Sequence, residues 1–150
     1  MSLYKYIYML SKSHIRKLIL AKRKTYNETD VIDKSKSISE KLFKQFYFND
    51  FKIIHTFIPL KNEVNTWEII EKINEKYQNI KIIIPKCNNT HELLHFEYKG
   101  AVLKPNKSGI LEPYKSKQFT PFDKIDLILV PLLAFDITGD RVGYGGGYYD

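Results

Sequence analysis

The residues with the clearest chemical potential close the sequence: Gly139-Asp140-Arg141-Val142-Gly143-Tyr144-Gly145-Gly146-Gly147-Tyr148-Tyr149-Asp150, a stretch holding five of the seven glycines. Glycine costs backbone entropy, so such a cluster must be offset by something only glycine allows. Positive φ in tight turns and close approach of backbone N–H groups to a ligand both qualify. Successive N–H groups in that geometry form a concave site for anions such as nucleotide phosphates. Arg141 adds a planar fixed cation, and Asp150 adds a carboxylate of the kind that holds Mg²⁺ beside phosphate oxygens. The run is not a Walker loop, because no GK[ST] follows, and its spacing is not that of a dinucleotide-binding fingerprint. Without its flanks, the same run reads equally as a flexible Gly/Tyr tail.

Other polar residues are less specific. Lys12 and Arg16 stand one helical turn apart on one face, and alone they read as part of a solvated face with Lys17, Lys22, Arg23 and Lys24. Glu63 reads as a surface residue and Ile58 as core. His14, His55, His91 and His95 do not read as a metal site, Cys87 reads as an ordinary thiol, and Trp67 as core.

These residues need elements to position them. KSHIRKLILAKRK (12–24) places Ile15, Leu18 and Ile19 on one helical face. A second helix is expected from a cap at Thr29 or Asp30 through Ile32, Ile38, Leu42 and Phe46. The period then changes, and FKIIHTFI (51–58), stopped by Pro59, reads as a buried strand. Thr66 is a candidate cap for a third helix carrying Trp67, Ile70, Ile73 and Tyr77. Ile80–Ile84, ended by Pro85, and Leu93–Tyr98 read as further strands, and residues 99–121 as loop. Asp126–Val130 reads as the cleanest buried strand, ended by Pro131. Apolar strands alternating with helices predict one three-layer α/β domain over 1–150. Its sheet is mostly parallel with helices on both faces, and residues 1–10 form a disordered extension. Ligands in such sheets sit beyond the carboxyl ends of the strands, so the loops after the three prolines are expected to meet at one site.

Composition narrows the class. Hydrophobic residues make up 43% and charged residues 27%, a globular balance. Lys plus Arg number 24 against 17 Asp plus Glu, a formal charge of +7 that suits phosphates and other polyanions. A single cysteine excludes a disulfide framework and points to a reducing compartment. The longest apolar stretch, Ile125–Phe135, contains Asp126 and Pro131 and falls short of the ~20 residues of a membrane-spanning helix. A cytoplasmic location is expected.

The segment DLILVPLLAFDITGDRVGYGGGYYD (126–150) closely resembles the signature of the 5-formyltetrahydrofolate cyclo-ligases, also called methenyltetrahydrofolate synthetases. That signature is a strand, a proline, an Ala/Gly-Phe-Asp step, then Arg-x-Gly-x-Gly-x-Gly-Tyr-Tyr-Asp. Weaker features follow in family order: Lys12-x-x-x-Arg16, Glu63-x-x-Thr66, Ile84-Pro85-Lys86 and Gly109-Ile110-Leu111-Glu112-Pro113. The resemblance implies an ATP- and Mg²⁺-dependent conversion of 5-formyltetrahydrofolate to 5,10-methenyltetrahydrofolate, with release of ADP and phosphate. It assigns ATP to Lys12, Arg16 and the run Arg141, Val142, Gly143, Tyr144, Gly145, Gly146, Gly147, Tyr148 and Tyr149. It assigns the reduced folate to Ile58, Glu63, Tyr144, Gly145, Gly146, Gly147 and Tyr148, catalysis to Arg141 and Tyr148, and Mg²⁺ to Asp150. Partners other than ATP and folate are not implied: no nucleic acid, no membrane, and a monomeric chain. Family members usually continue well past this signature. A chain stopping at Asp150 is therefore expected to have weak activity, with its last carboxylate at a fraying end. The rival readings are another ATP-binding phosphotransferase, a non-catalytic relic of the fold, and a basic nucleic-acid-binding module stacking bases on its 11 tyrosines and 9 phenylalanines.

Overall fold

The computed structural model describes residues 11–88, 90, 92–120 and 124–149. The expectations for residues 1–10, His91 and Asp150 lie outside the described residues. In chain order the elements are α1 (Lys12–Lys24), α2 (Glu28–Gln45), a 3-10 turn (Phe48–Asp50), β1 (Ile53–Thr56), α3 (Trp67–Lys76), β2 (Lys81–Cys87), β3 (Leu93–Glu97), β4 (Val102–Pro105), β5 (Leu111–Lys115), β6 (Leu127–Leu129), β7 (Ala134–Phe135) and β8 (Arg141–Val142). The architecture is α/β: a mixed sheet in the order β3-β2-β1-β6, in which β1 pairs in parallel with both β2 and β6 while β3 runs antiparallel to β2. Two small antiparallel pairs, β4–β5 and β7–β8, complete the sheet structure.

Strand alternation sorts the residues between faces. Ile54, Ile82 and Ile84 point to the face covered by α3, where Ile69, Ile70 and Ile73 close the core together with Phe48 and Ile58. Phe43 of α2 extends this core, with its ring stacked parallel to that of Tyr77 and 4.3 Å from Phe48. The opposite face carries His55 and Ile83, both buried.

Several local expectations change. The cap of α2 is Asn27, which forms a reciprocal capping box with Asp30. Ile32 and Ile38, expected on the packed face of α2, are 52% and 44% exposed, whereas Ser35 and Ser39 are buried. Small side chains permit close approach there. Ser35 Oγ donates to Val31 O and accepts from Asn65 N at 2.8 Å, fixing the entry to α3. In α1, Leu18 is exposed and no residue is fully buried, because the helix packs on the short β7–β8 pair rather than into the core.

Pro85 does not end β2, which continues to Cys87. Lys81 N donates to Lys52 O, so the odd-numbered N–H positions face β1. That strand has stopped by the level of Pro85, and the missing donor breaks no ladder bond. Residues 99–121, expected as loop, contain the β4–β5 hairpin, whose Leu103 and Leu111 pack on the core. β6, expected as the cleanest buried strand, is an edge strand with Ile128 37% exposed. Its place is set by Asp126, whose carboxylate accepts from the N–H groups of both Lys52 and Ile53 at 2.8 Å. Those two hydrogen bonds hold the Asp126 carboxyl below its ordinary range.

Because Ile70 is fully buried in the core cluster, Ile70→Ala is expected to cost about 2–5 kcal/mol. Urea unfolding measured as a midpoint shift at constant slope checks it.

Candidate functional site

The carboxyl ends of the parallel strands open onto a cavity of about 380 Å³. Phe57 and Ile58 enter it from the end of β1, Pro85 and Cys87 from β2, and Pro131 from the exit of β6. The three proline-terminated runs therefore meet at one place, as the parallel topology requires. The β4–β5 hairpin closes one side with Ser108, Ile110, Leu111 and Glu112, and the glycine loop closes another. The lining is mainly apolar, with carboxylates at Glu63 and Glu112 and a guanidinium at Arg141.

Local geometry fixes Glu63. The turn 60–63 passes through Asn62 at φ 66°, a left-handed position that asparagine tolerates. Leu60 N donates to Glu63 Oε2 at 2.8 Å, and Glu63 N donates back to Leu60 O. Thr66 stands at the head of α3 without capping it. Its hydroxyl donates to Phe57 O at 2.8 Å, and Asn65 accepts from Trp67 N instead. The start of α3 is thereby tied to the end of β1, and Ile58 and Glu63 are held between the two.

The glycine loop is shaped by steric demands at two positions. Gly145 has φ +97°, and a Cβ there would lie 3.3 Å from the Arg16 guanidinium carbon. A Cβ on Gly146 would lie 2.9 Å from the Tyr148 ring. Arg16 Nε donates to Gly143 O at 2.9 Å, and the Arg141 guanidinium donates to Tyr149 O. Arg23 donates to Tyr144 Oη at 2.6 Å and to Leu132 O at 2.7 Å. Burial, and then the neighbouring Glu63 carboxylate, hold the Tyr144 phenol well above its ordinary range. Burial first and Glu112 second raise the Cys87 thiol, against an opposing hydrogen bond with Tyr148.

Beneath the loop, Tyr149 rests on a histidine pair. The rings of His55 and His95 meet edge to face at 5.2 Å, and Tyr149 lies 6.1 Å from His55. Burial and then the neighbouring His95 lower His55 from 6.5 to about 3, so it is neutral near pH 7.

Of the residues singled out in the sequence, Ile58, Glu63, Arg141, Gly143, Tyr144, Gly145, Gly146, Gly147, Tyr148 and Tyr149 share this one cavity. Val142 does not line it; it pairs with Ala134 and its carbonyl accepts from Leu133 N. Arg16 grips the loop from outside the cavity, and Lys12 is exposed in the first turn of α1. Asp150 lies outside the described residues. Sequence reasoning missed Arg23, Glu112 and the place of Cys87 in the cavity lining. Arg23 stood seven residues after Arg16, which repeats a helical face; Glu112 stood only in the weak Gly109–Pro113 feature, and Cys87 had no local signal, since the β4–β5 hairpin brings the two together.

A mixed sheet whose parallel strands end at an apolar cavity closed by a glycine-rich loop defines an α/β protein with a concave site at its strand ends, the usual place for a ligand in such sheets. The chain belongs to the 5-formyltetrahydrofolate cyclo-ligase family, whose profile matches residues 8–150. It is 32% identical over 101 residues to a 5-formyltetrahydrofolate cyclo-ligase of Haemophilus influenzae, covering 66% of this chain and 54% of that one. Identity to the enzyme of that name from Saccharomyces cerevisiae is 35% over 112 residues, covering 60% of this chain and 50% of the relative. The chain thus spans about half the length of these curated relatives. Among solved structures, a 5,10-methenyltetrahydrofolate synthetase of Aquifex aeolicus superposes with a TM-score of 0.77 at 30% identity, covering 94% of this chain and 71% of that one. The methenyltetrahydrofolate synthetase of Mycoplasma pneumoniae gives 0.72 at 26% identity, covering 93% and 75%.

Two outcomes test the site's construction. Gly146→Ala should push the Tyr148 ring off Cys87 and speed thiol labelling of Cys87 several-fold, read with a chromogenic disulfide reagent. His55 is neutral when folded, so the unfolded chain takes up its proton first as pH falls. Its contribution is complete above pH 6.5 and is lost progressively toward about 3, roughly 4–5 kcal/mol in all. His55→Phe should flatten that part of the stability–pH curve.

Proposed function

We propose that this chain binds 5-formyltetrahydrofolate and ATP in and beside the cavity, as one α/β domain, and supports ATP-dependent closure to 5,10-methenyltetrahydrofolate. The observation that carries the reading is the convergence of Ile58, Glu63 and the loop 143–149 on one cavity, in a chain of the cyclo-ligase family. A formamide oxygen is a poor leaving group. Transfer of the γ-phosphoryl group of ATP to the formyl oxygen releases ADP; attack by the neighbouring folate nitrogen on that carbon then expels phosphate and closes the ring. Such transfer is mainly positioning and charge stabilisation, and the protein need supply no nucleophile.

The residues suit that division of labour. The glycine loop offers backbone N–H groups to the phosphates, with Arg16 and Lys12 approaching from α1 and Arg141 beside the transferring group. Glu63 accepts from the N–H edge of the pterin, Ile58 packs on its ring, and Tyr144 to Tyr148 hold the formyl group toward the phosphate. Magnesium, carried by the nucleotide and by Asp150, would offset phosphate charge. Among the described residues no cluster of three His, Cys, Asp or Glu side chains could hold a metal, so its fit turns on the phosphate oxygens. No helix of the described residues is long and apolar enough to cross a membrane, and the proposed location is cytoplasmic.

Mixing the chain with Mg-ATP and 5-formyltetrahydrofolate should give the methenyl absorbance only when both are present. ATP hydrolysis indifferent to the folate would overturn the reading in favour of another phosphotransferase. Arg141→Ala should lower turnover by about 10²–10³ with folate affinity little changed. Glu63→Ala should mainly weaken folate binding, by about tenfold or more, in a fluorescence titration.

A further inference from the structure

Arg23 has no part in the function proposed above, yet it makes the longest-range side-chain hydrogen bonds after that of Arg16. Its guanidinium is a two-armed fork: one N–H donates to Tyr144 Oη at 2.6 Å, the other to Leu132 O at 2.7 Å, residues 121 and 109 positions away. The Arg23 side chain also lies 6.0 Å from the centre of the Tyr144 ring. Arg23 is half-buried on the face of α1 turned toward a second hollow lined by Tyr26, Lys34 and Glu63. It therefore joins three separate segments: α1, the exit of β6 and the glycine loop.

The direction of the hydrogen bonds gives this contact a consequence. A guanidinium has no acceptor, so Tyr144 Oη must accept from Arg23 and its own proton is left to donate elsewhere. The acceptor it faces is the Glu63 carboxylate, which is itself held by Leu60 N. The contacts run from Arg23 to Tyr144 and on toward Glu63, and Tyr144 and Glu63 both line the larger cavity.

We propose that Arg23 is a positioning residue for the reduced folate: it fixes Tyr144, and through Tyr144 the orientation of the Glu63 carboxylate, before the ligand arrives. The ligand's identity rests on the functional reading above; the positioning of Tyr144 does not. Arg16 holds the same loop one residue earlier, at Gly143 O, a position assigned to the nucleotide alone, so the two arginines of one helix grip the loop at neighbouring points.

The test compares the chain with Arg23→Lys, Arg23→Ala, Tyr144→Phe and the double variant Arg23→Ala/Tyr144→Phe. Affinities for 5-formyltetrahydrofolate and Mg-ATP are measured, together with amide exchange at 143–147 without ligand. Arg23→Ala should weaken folate binding about tenfold, the scale of a hydrogen bond to a charged group, and Mg-ATP binding far less. Arg23→Lys should fall between, since an ammonium cannot reproduce the fork. In the Tyr144→Phe background, Arg23→Ala should add little further loss, the non-additivity of residues acting through one another. Equal loss for both ligands, or additive losses, would overturn the proposal in favour of a general brace. A parent chain that binds no reduced folate would overturn the functional reading alone. The exchange arm then decides: faster exchange at 143–147 in Arg23→Ala, not increased again by Tyr144→Phe, supports the clamp, and unchanged exchange overturns it.

Discussion

Two arginines of the first helix hold the far end of the chain against its beginning. Arg16 reaches Gly143 and Arg23 reaches Tyr144 and Leu132, across separations where closing the chain costs the most entropy. A loop with glycine at 143, 145, 146 and 147 has little conformational preference of its own. Its shape is imposed by guanidinium groups that meet backbone and phenol oxygens at fixed angles. Together with Tyr149 packed on His55, this constraint holds the loop over the strand ends and so closes the cavity.

The sheet supplies the platform. Its Ile54, Ile82 and Ile84 face α3 as a dry layer, and on the reverse side the same strands bury His55 against His95 and Tyr149. Neither His55 nitrogen has a hydrogen-bond partner among the described residues. An unpaired imidazole at such a position costs stability, and it is tolerated here as a neutral ring packed by other rings. The same strand, β1, thus contributes to the core through Ile54, to the floor of the loop through His55, and to the cavity through Phe57 and Ile58.

Most of the parallel strands were legible because they are unbroken apolar runs closed by proline, and so was their meeting point, because carboxyl ends of parallel strands share one edge. The β4–β5 hairpin was not legible. Its strands carry Lys104, Pro105, Pro113 and Lys115, which resemble loop in composition, and it is ordered by packing on the core and by Asn106, which binds Ser108 N and Glu112. The face of α2 was misread for a related reason: Ile32 and Ile38 follow helical spacing, yet Ser35 and Ser39 are buried because the backbone comes close there.

By itself the sequence determined the α/β alternation, the glycine-rich loop that follows the last strand of the main sheet and the family signature, because backbone preference and side-chain period are local properties. Tertiary structure decided which cations touch that loop, which carboxylates share its cavity and which histidine is stripped of water. Those depend on the approach of segments far apart in the chain, more than a hundred residues for the arginine contacts, and no periodicity along the chain records where a guanidinium fork comes to rest.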